Sequence, residues 1–342
     1  MGEDSVTPRL INMKTLLGIV AGAGASYGIY KLLRGRGEDT ERNKADSKND
    51  MVLQPGSLMA KVSGFNVIGR TDSRSRTTEI ASSEILSKSP GSLEPRHLSM
   101  LLSLLQSSPN PAEKQHVLIT LGNAAAFTVN QDLIRELGGL HNIASFLSDP
   151  SPDLRVQTLN ALNNLSMNIQ NQEQLKIYVP QVLELIEMSP VNSDLQLAAL
   201  RLLTNLTVTD NHQHLMKPSI TLLLSLLVVS SEVLQIQVLK VLVNLSSNPD
   251  IMDDLVQAQA PASLVLLFDS CTSADVLLRL LTFVVNLQAW RPSAQVAEAL
   301  RKQQDSLYCV LLDSSSQFHG RLRLLLSHPD REISAQVARL LT

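Results

Sequence analysis

Hydrophobic and polar positions divide the chain into three stretches. Thr15 to Tyr30 carries no charge, Gly35 to about Glu94 is polar without sustained periodicity, and leucines dominate from Pro95 onward. In the last stretch Leu195, Leu202, Leu203 and Leu206 recur at three-, four- and seven-residue steps, one face of a 3.6-period helix. That helix has copies. Leu159 to Ser166, Leu200 to Thr207 and Leu239 to Ser246 share one ending, Leu-x-Asn-Leu-Ser/Thr, and Leu118 to Asn123 and Leu281 to Leu287 are weaker versions. Their asparagines, Asn123, Asn164, Asn205, Asn244 and Asn286, step by about 41, 41, 39 and 42 residues. A period near forty predicts stacked helical repeats. One repeat cannot bury its own apolar face, so neighbours must cover it.

The recurrent asparagine sits where helix propensity disfavours it. A poor helix former held at one place implies a task for its amide. It either bonds a neighbouring loop carbonyl or faces a bound peptide, and the sequence leaves both open. Asp153, Asp194 and Asp275 stand just ahead of a helix and are expected to cap its free N–H groups.

These copies resemble the closing segment of an armadillo repeat. Asn130 to Leu137, ending in Gly138-Gly139, is similar to the short first armadillo helix and its glycine turn. Leu140 to Leu147 resembles the second helix, and Ser148 to Asp153 the turn before the third. The resemblance covers residues 95 to 342 and is strongest from Asn130 to Asn248. Asn123 is followed by Ala124-Ala125, Gln288 replaces the usual Ser or Thr, and Gly-Gly occurs once. The outer repeats are therefore expected to be irregular caps, the last pair spanning Arg321 to Leu326 and Arg331 to Leu341.

The resemblance implies an all-α, armadillo-like right-handed helical solenoid of about six repeats, serving as a protein-binding scaffold. It also implies a groove lined by the third helices. Asn123, Asn164, Asn205, Asn244 and Asn286 would face that groove. Arg201 and Lys240 lie one turn earlier, and His116, Gln157, Gln237 and Arg279 two turns earlier. Such a groove is polar with a mildly basic middle. It is expected to hold an extended or helical acidic segment, with the amides of Asn164, Asn205 and Asn244 bonding its backbone. A soluble transport adaptor that grips basic peptides would carry Trp one turn before each asparagine. Ile119, Asn160, Arg201, Lys240 and Thr282 stand there, and Trp290 is the only tryptophan, so that alternative has no cation–π shelf.

Composition removes other classes. Formal net charge is −3, which argues against nucleic-acid binding. Cys271 and Cys309 cannot frame a disulfide scaffold and read as thiols of a reducing compartment. His212 and His214 lack a Cys or acidic pair to complete a metal site. No phosphate loop, nucleophile elbow or HExxH occurs, so no enzyme activity, cofactor or small-molecule substrate is expected. The sequons at Asn164, Asn205 and Asn244 lie in repeat helices of a domain expected in the cytosol, and are not read as glycosylated.

The uncharged run decides the remaining expectation. With Leu32-Leu33 and snorkelling of Lys14 and Lys31, residues 15–33 approach a membrane span. A cleaved signal peptide conflicts with a cytosolic body. A dinucleotide loop lacks a following βαβ unit. Gly18, Gly22, Gly24 and Gly28 disfavour a soluble helix but suit packing in a bilayer. Lys31, Arg34 and Arg36 outnumber the cations before the run, placing the C-terminal side in the cytosol. The expected organisation is a short segment 1–14, a transmembrane signal anchor 15–33, a disordered linker 34–94, and armadillo repeats 95–342.

An N-terminal Gly/Ala-rich anchor, a basic stop and a polar tether ahead of armadillo repeats resemble the membrane-anchored armadillo-repeat family. That resemblance implies residence in the mitochondrial outer membrane facing the cytosol, with the endoplasmic reticulum as alternative. It implies protein partners, including the Miro–kinesin adaptor machinery, and a role in mitochondrial distribution and dynamics. The alternative is an endoplasmic-reticulum adaptor regulating growth and survival.

Overall fold

The computed structural model describes residues 93–290 and 292–341. The expected anchor, its flanking Lys14, Lys31, Arg34 and Arg36, and the linker up to residue 92 lie outside the described residues. Among the described residues no helix is long and apolar enough to cross a membrane. They are helical throughout, with one isolated bridge between Gln259 and Ser306. Two compact units divide them, one ending at Val182 and one beginning at Leu183.

The first unit holds α1 (Pro95–Ser107), α2 (Pro111–Ala124), α3 (Thr128–Glu136), α4 (Gly139–Ala144), α5 (Pro152–Leu165) and α6 (Ile169–Leu175); α7 (Val179–Met188) spans the division. Pro95, Pro111 and Pro152 stand in the first turn of α1, α2 and α5, where proline's fixed φ costs no hydrogen bond. Between α3 and α4, Gly138 takes φ 70°, a conformation that side chains with a Cβ resist. At Gly139 a Cβ would lie 2.7 Å from Ile134 Cγ2 and 2.8 Å from the Ile134 carbonyl oxygen, so only hydrogen fits. Helices α2 and α5 pack side by side, and Gly122 permits their approach: its Cβ would meet the Ala161 Cα at 3.4 Å. Buried Leu118, Leu121, Leu159 and Leu162 fill the contact.

The second unit holds α8 (Asp194–Leu206), α9 (Ile220–Val229), α10 (Glu232–Ser246), α11 (Met252–Gln257), α12 (Ala274–Ala289), α13 (Ala294–Arg301), α14 (Phe318–Leu325) and α15 (Arg331–Leu341). Helix α10 packs on both α8 and α12, and α12 packs on α15. Leu195, Leu202, Leu203 and Leu206 are buried, as their periodicity predicts. Asn192, at φ 68°, shapes the turn before α8; its Oδ1 accepts the Ser231 N–H at 2.7 Å. The later repeats are less regular. A 3₁₀ segment, Ala262–Leu267, and a π turn, Tyr308–Leu312, replace full helices, and Phe268 packs edge-on against Phe318 at 4.7 Å.

The expected aspartate caps require correction. Ser151 Oγ accepts the Leu154 N–H, and Ser193 Oγ accepts the Gln196 N–H, so serine caps α5 and α8. Asp153, Asp194 and Asp275 lie inside the first turn. There the carboxylate complements the helix dipole without accepting a capping bond.

Candidate functional site

Three of the five recurrent asparagines reach across the seams between packed helices. Asn164 Nδ2 donates to the Gly122 carbonyl at 2.9 Å, joining α5 to α2. Asn244 Nδ2 donates to the Thr204 carbonyl at 3.1 Å and to Thr207 Oγ1 at 3.0 Å, joining α10 to α8. Asn286 Nδ2 donates to Ser246 Oγ at 3.0 Å and to the Val243 carbonyl at 3.4 Å, joining α12 to α10. Asn164, Asn244 and Asn286 are buried, whereas Asn123 and Asn205 are half-buried. Of the amides expected to bond a peptide backbone, those of Asn164 and Asn244 donate to the preceding helix. An unmet buried amide is costly, so these bonds give Asn164, Asn244 and Asn286 a structural task at the seam.

Sequence reasoning missed a second ladder. Gln131, Gln172 and Gln213 are buried, and each Nε2 donates to the carbonyl six residues earlier: Ala125 at 2.8 Å, Ser166 at 2.7 Å and Thr207 at 2.8 Å. Gln131 also reaches the Asn164 carbonyl and Gln213 the Asn244 carbonyl, at 3.1 and 3.3 Å. Asn130 and Asn171, one residue ahead, bond the Ala124 and Leu165 carbonyls at 3.0 Å. Helix ends leave such carbonyls without intrahelical partners, and these amides satisfy them. The signal was present: the glutamines share the period of the asparagines.

Beside the α10 seams lies a row of cations. Arg201 on α8, Lys240 on α10 and Arg279 on α12 occupy corresponding faces of successive packed helices. Arg279 is paired with Asp275 at 2.9 Å and also donates to the Asp275 carbonyl; its Nε is buried without a partner. Arg201 and Lys240 have no hydrogen-bond or ion-pair partner among the described residues. Lys240 is only 9% exposed. Burial pushes its ammonium down to about 8, with Arg279 and Arg201 adding repulsion and Asp275 opposing it. Burial also lowers Arg201, against the attraction of Asp194. These groups share one electrostatic neighbourhood that is short of anions.

The first unit differs. A shallow recess lined by Leu118, Ile119, Asn123, Gln157, Asn160 and Asn164 opens between α2 and α5. It encloses only about 10 Å³, far below the ~300–1,000 Å³ of ordinary small-molecule pockets. Its lining is neutral. His212 and His214 do not converge: His212 is buried and His214 exposed.

Tandem three-helix units, amide-stapled seams and a glycine turn define the class, and comparison with known proteins agrees. The chain belongs to the armadillo-like family, whose model matches residues 93–312. Among solved structures it is similar to a designed armadillo repeat protein at 19% identity and TM-score 0.58, covering 71% of this chain and 98% of that one. A second, described as a designed armadillo repeat protein in complex with the peptide (KR)4, aligns at 18% identity and TM-score 0.59, covering 72% and 99%. An engineered protein aligns at 19% identity and TM-score 0.59 over 72% of this chain, which spans 57% of its length.

Proposed function

We propose that the protein is a membrane-anchored adaptor whose repeats hold an extended acidic segment of a partner protein along α8, α10 and α12. One observation carries this reading: Arg201 and Lys240 are cations without partners on adjoining helices, with Arg279 beside them. Buried or half-buried cations without counter-ions are costly, and a bound anion removes that cost. The designed relative crystallised with a (KR)4 peptide accepts the opposite charge. A basic peptide on α8, α10 and α12 would need acids or aromatic faces, and this chain presents Arg201, Lys240 and Arg279 there. The test is a photo-crosslinking residue at Gln237, one turn from Lys240, in the full-length protein. An aspartate-rich probe peptide should crosslink there and not to the same residue placed at Leu324, which is 76% exposed. Equal crosslinking at both positions would remove the site.

The uncharged run Thr15–Tyr30 and the cations Lys31, Arg34 and Arg36 support anchoring in the mitochondrial outer membrane with the repeats in the cytosol. Partners there would include the Miro–kinesin adaptor machinery, and the outcome would be control of mitochondrial distribution. A chain beginning at Gly37 should be released from membranes, and residues 1–36 should carry a fluorescent protein to mitochondria. Retention of the shortened chain after carbonate washing contradicts the anchor. A steady endoplasmic-reticulum pattern would favour the alternative residence, as an adaptor for growth and survival.

A further inference from the structure

The acidic-segment reading does not say what anion the cation row takes. Counting charges narrows it. Asp275 already neutralises Arg279 through an ion pair and a second bond from the same guanidinium to the Asp275 carbonyl. Asp194 attracts Arg201 from two turns away on its own helix but forms no ion pair with it. Two cations therefore lack contact partners, and they stand on adjoining helices whose axes are ~8–10 Å apart. A single carboxylate carries one charge and leaves the other cation unmatched. A phosphoryl group carries about −1.5 to −2 and three acceptor oxygens, enough for both.

Donor geometry points the same way. Arg201 offers a planar guanidinium fork suited to paired oxygens. Lys240 offers a compact ammonium with three donors from the middle helix of the three, and only 9% of it is exposed. Arg279, paired with Asp275 and partly exposed, adds a third positive charge on the far side. The lysine stem is packed while its ammonium has no acceptor among the described residues, which leaves its donors open to an acceptor from a bound segment. The charged groups acting on Lys240 are Arg201 from α8, and Arg279 and Asp275 from α12.

Resting on the acidic-segment reading above, we infer that Arg201, Lys240 and Arg279 form a phosphoryl-binding site that selects a phosphorylated residue within the partner's segment. Binding is non-covalent, with each cation donating to a phosphoryl oxygen. The site makes association with the partner dependent on a kinase acting on that partner.

The experiment uses the full-length protein in mild detergent and four twelve-residue Gly/Ser/Asp probe peptides. They differ at the centre: serine, one glutamate, two adjacent glutamates, or phosphoserine. Fluorescence anisotropy at constant ionic strength reads affinity. Competitive acetylation followed by mass spectrometry reads access to the Lys240 amine. The phosphoserine probe should bind at least tenfold tighter than the single-glutamate probe and at least threefold tighter than the charge-matched double-glutamate probe. It should also protect Lys240 from acetylation. In Lys240→Met, which keeps the stem, the phosphoserine preference should fall below threefold while the melting transition stays cooperative. If the acidic probes bind alike, the phosphoryl site is refuted and the acidic-segment reading stands. If no probe binds, both fall. A phosphoserine preference that survives in Lys240→Met places the site elsewhere and overturns the inference.

Discussion

Replacing Lys240 with methionine should stabilise the protein, and the gain should depend on pH in a defined direction. The ammonium is nearly buried, faces Arg201 and Arg279, and falls from 10.5 to about 8. At ~1.4 kcal/mol per pKa unit, the buried charge costs up to about 3 kcal/mol. Because the folded value lies below the unfolded one, the unfolded chain binds the extra proton between about 8 and 10.5. Wild-type stability should therefore carry the full penalty below pH 8 and regain it as pH rises toward 10.5. Methionine preserves the packed stem and removes the charge, so the variant carries no such slope. At roughly 2–4 °C per kcal/mol for a domain of this size, melting should rise by several degrees at pH 7. The gap should shrink steadily up to pH 10. Thermal melts of the full-length protein in mild detergent, at half-unit pH steps from 6.5 to 10, supply the curve. Parallel wild-type and variant curves would refute the buried-charge reasoning.

Asn244→Ala should cost about 2 kcal/mol in urea unfolding, since it removes two buried bonds and leaves the Thr204 carbonyl without that donor. An unchanged midpoint would mean that the asparagine does not staple the α8–α10 seam. Gly320→Ala, in α14 with nothing within 4 Å of the new Cβ, should gain roughly 0.5–1 kcal/mol from helix propensity. Gly139→Ala should instead destabilise, because its Cβ meets the Ile134 backbone; equal melting of these two variants would contradict the packing described. Replacing Lys31, Arg34 and Arg36 with serine should shift the protein from mitochondria toward the endoplasmic reticulum, and unchanged imaging would assign targeting to the apolar run.

Helix positions and repeat length were legible because leucine spacing and a period of about forty residues survive without any tertiary knowledge. The direction of the ladder amides was not. Asn164 and Asn244 share a helical stripe with both the groove-side positions and the preceding helix, and only packing decides which carbonyl each amide meets. Gln131, Gln172 and Gln213 were less legible because they sit near the start of the next repeat, outside the leucine pattern of the third helix. The serine caps escaped for a related reason: Ser151 and Ser193 precede the more conspicuous aspartates by two residues and one. Spacing placed Lys240 beside Arg201, but its burial depends on how α10 is enclosed by α8 and α12, which no pattern along one helix records.

The central claim is that this cation row takes an acidic partner segment, and charge reversal tests it most directly. Arg201→Glu with Lys240→Glu should leave the far-ultraviolet spectrum helical and the unfolding transition cooperative. Affinity of the wild-type protein for an aspartate-rich peptide should fall as salt rises. The double variant should lose at least tenfold in affinity at low salt, and its remaining binding should no longer respond to salt. Full-strength, salt-sensitive binding by the folded double variant would contradict the claim and move the interface away from α8, α10 and α12.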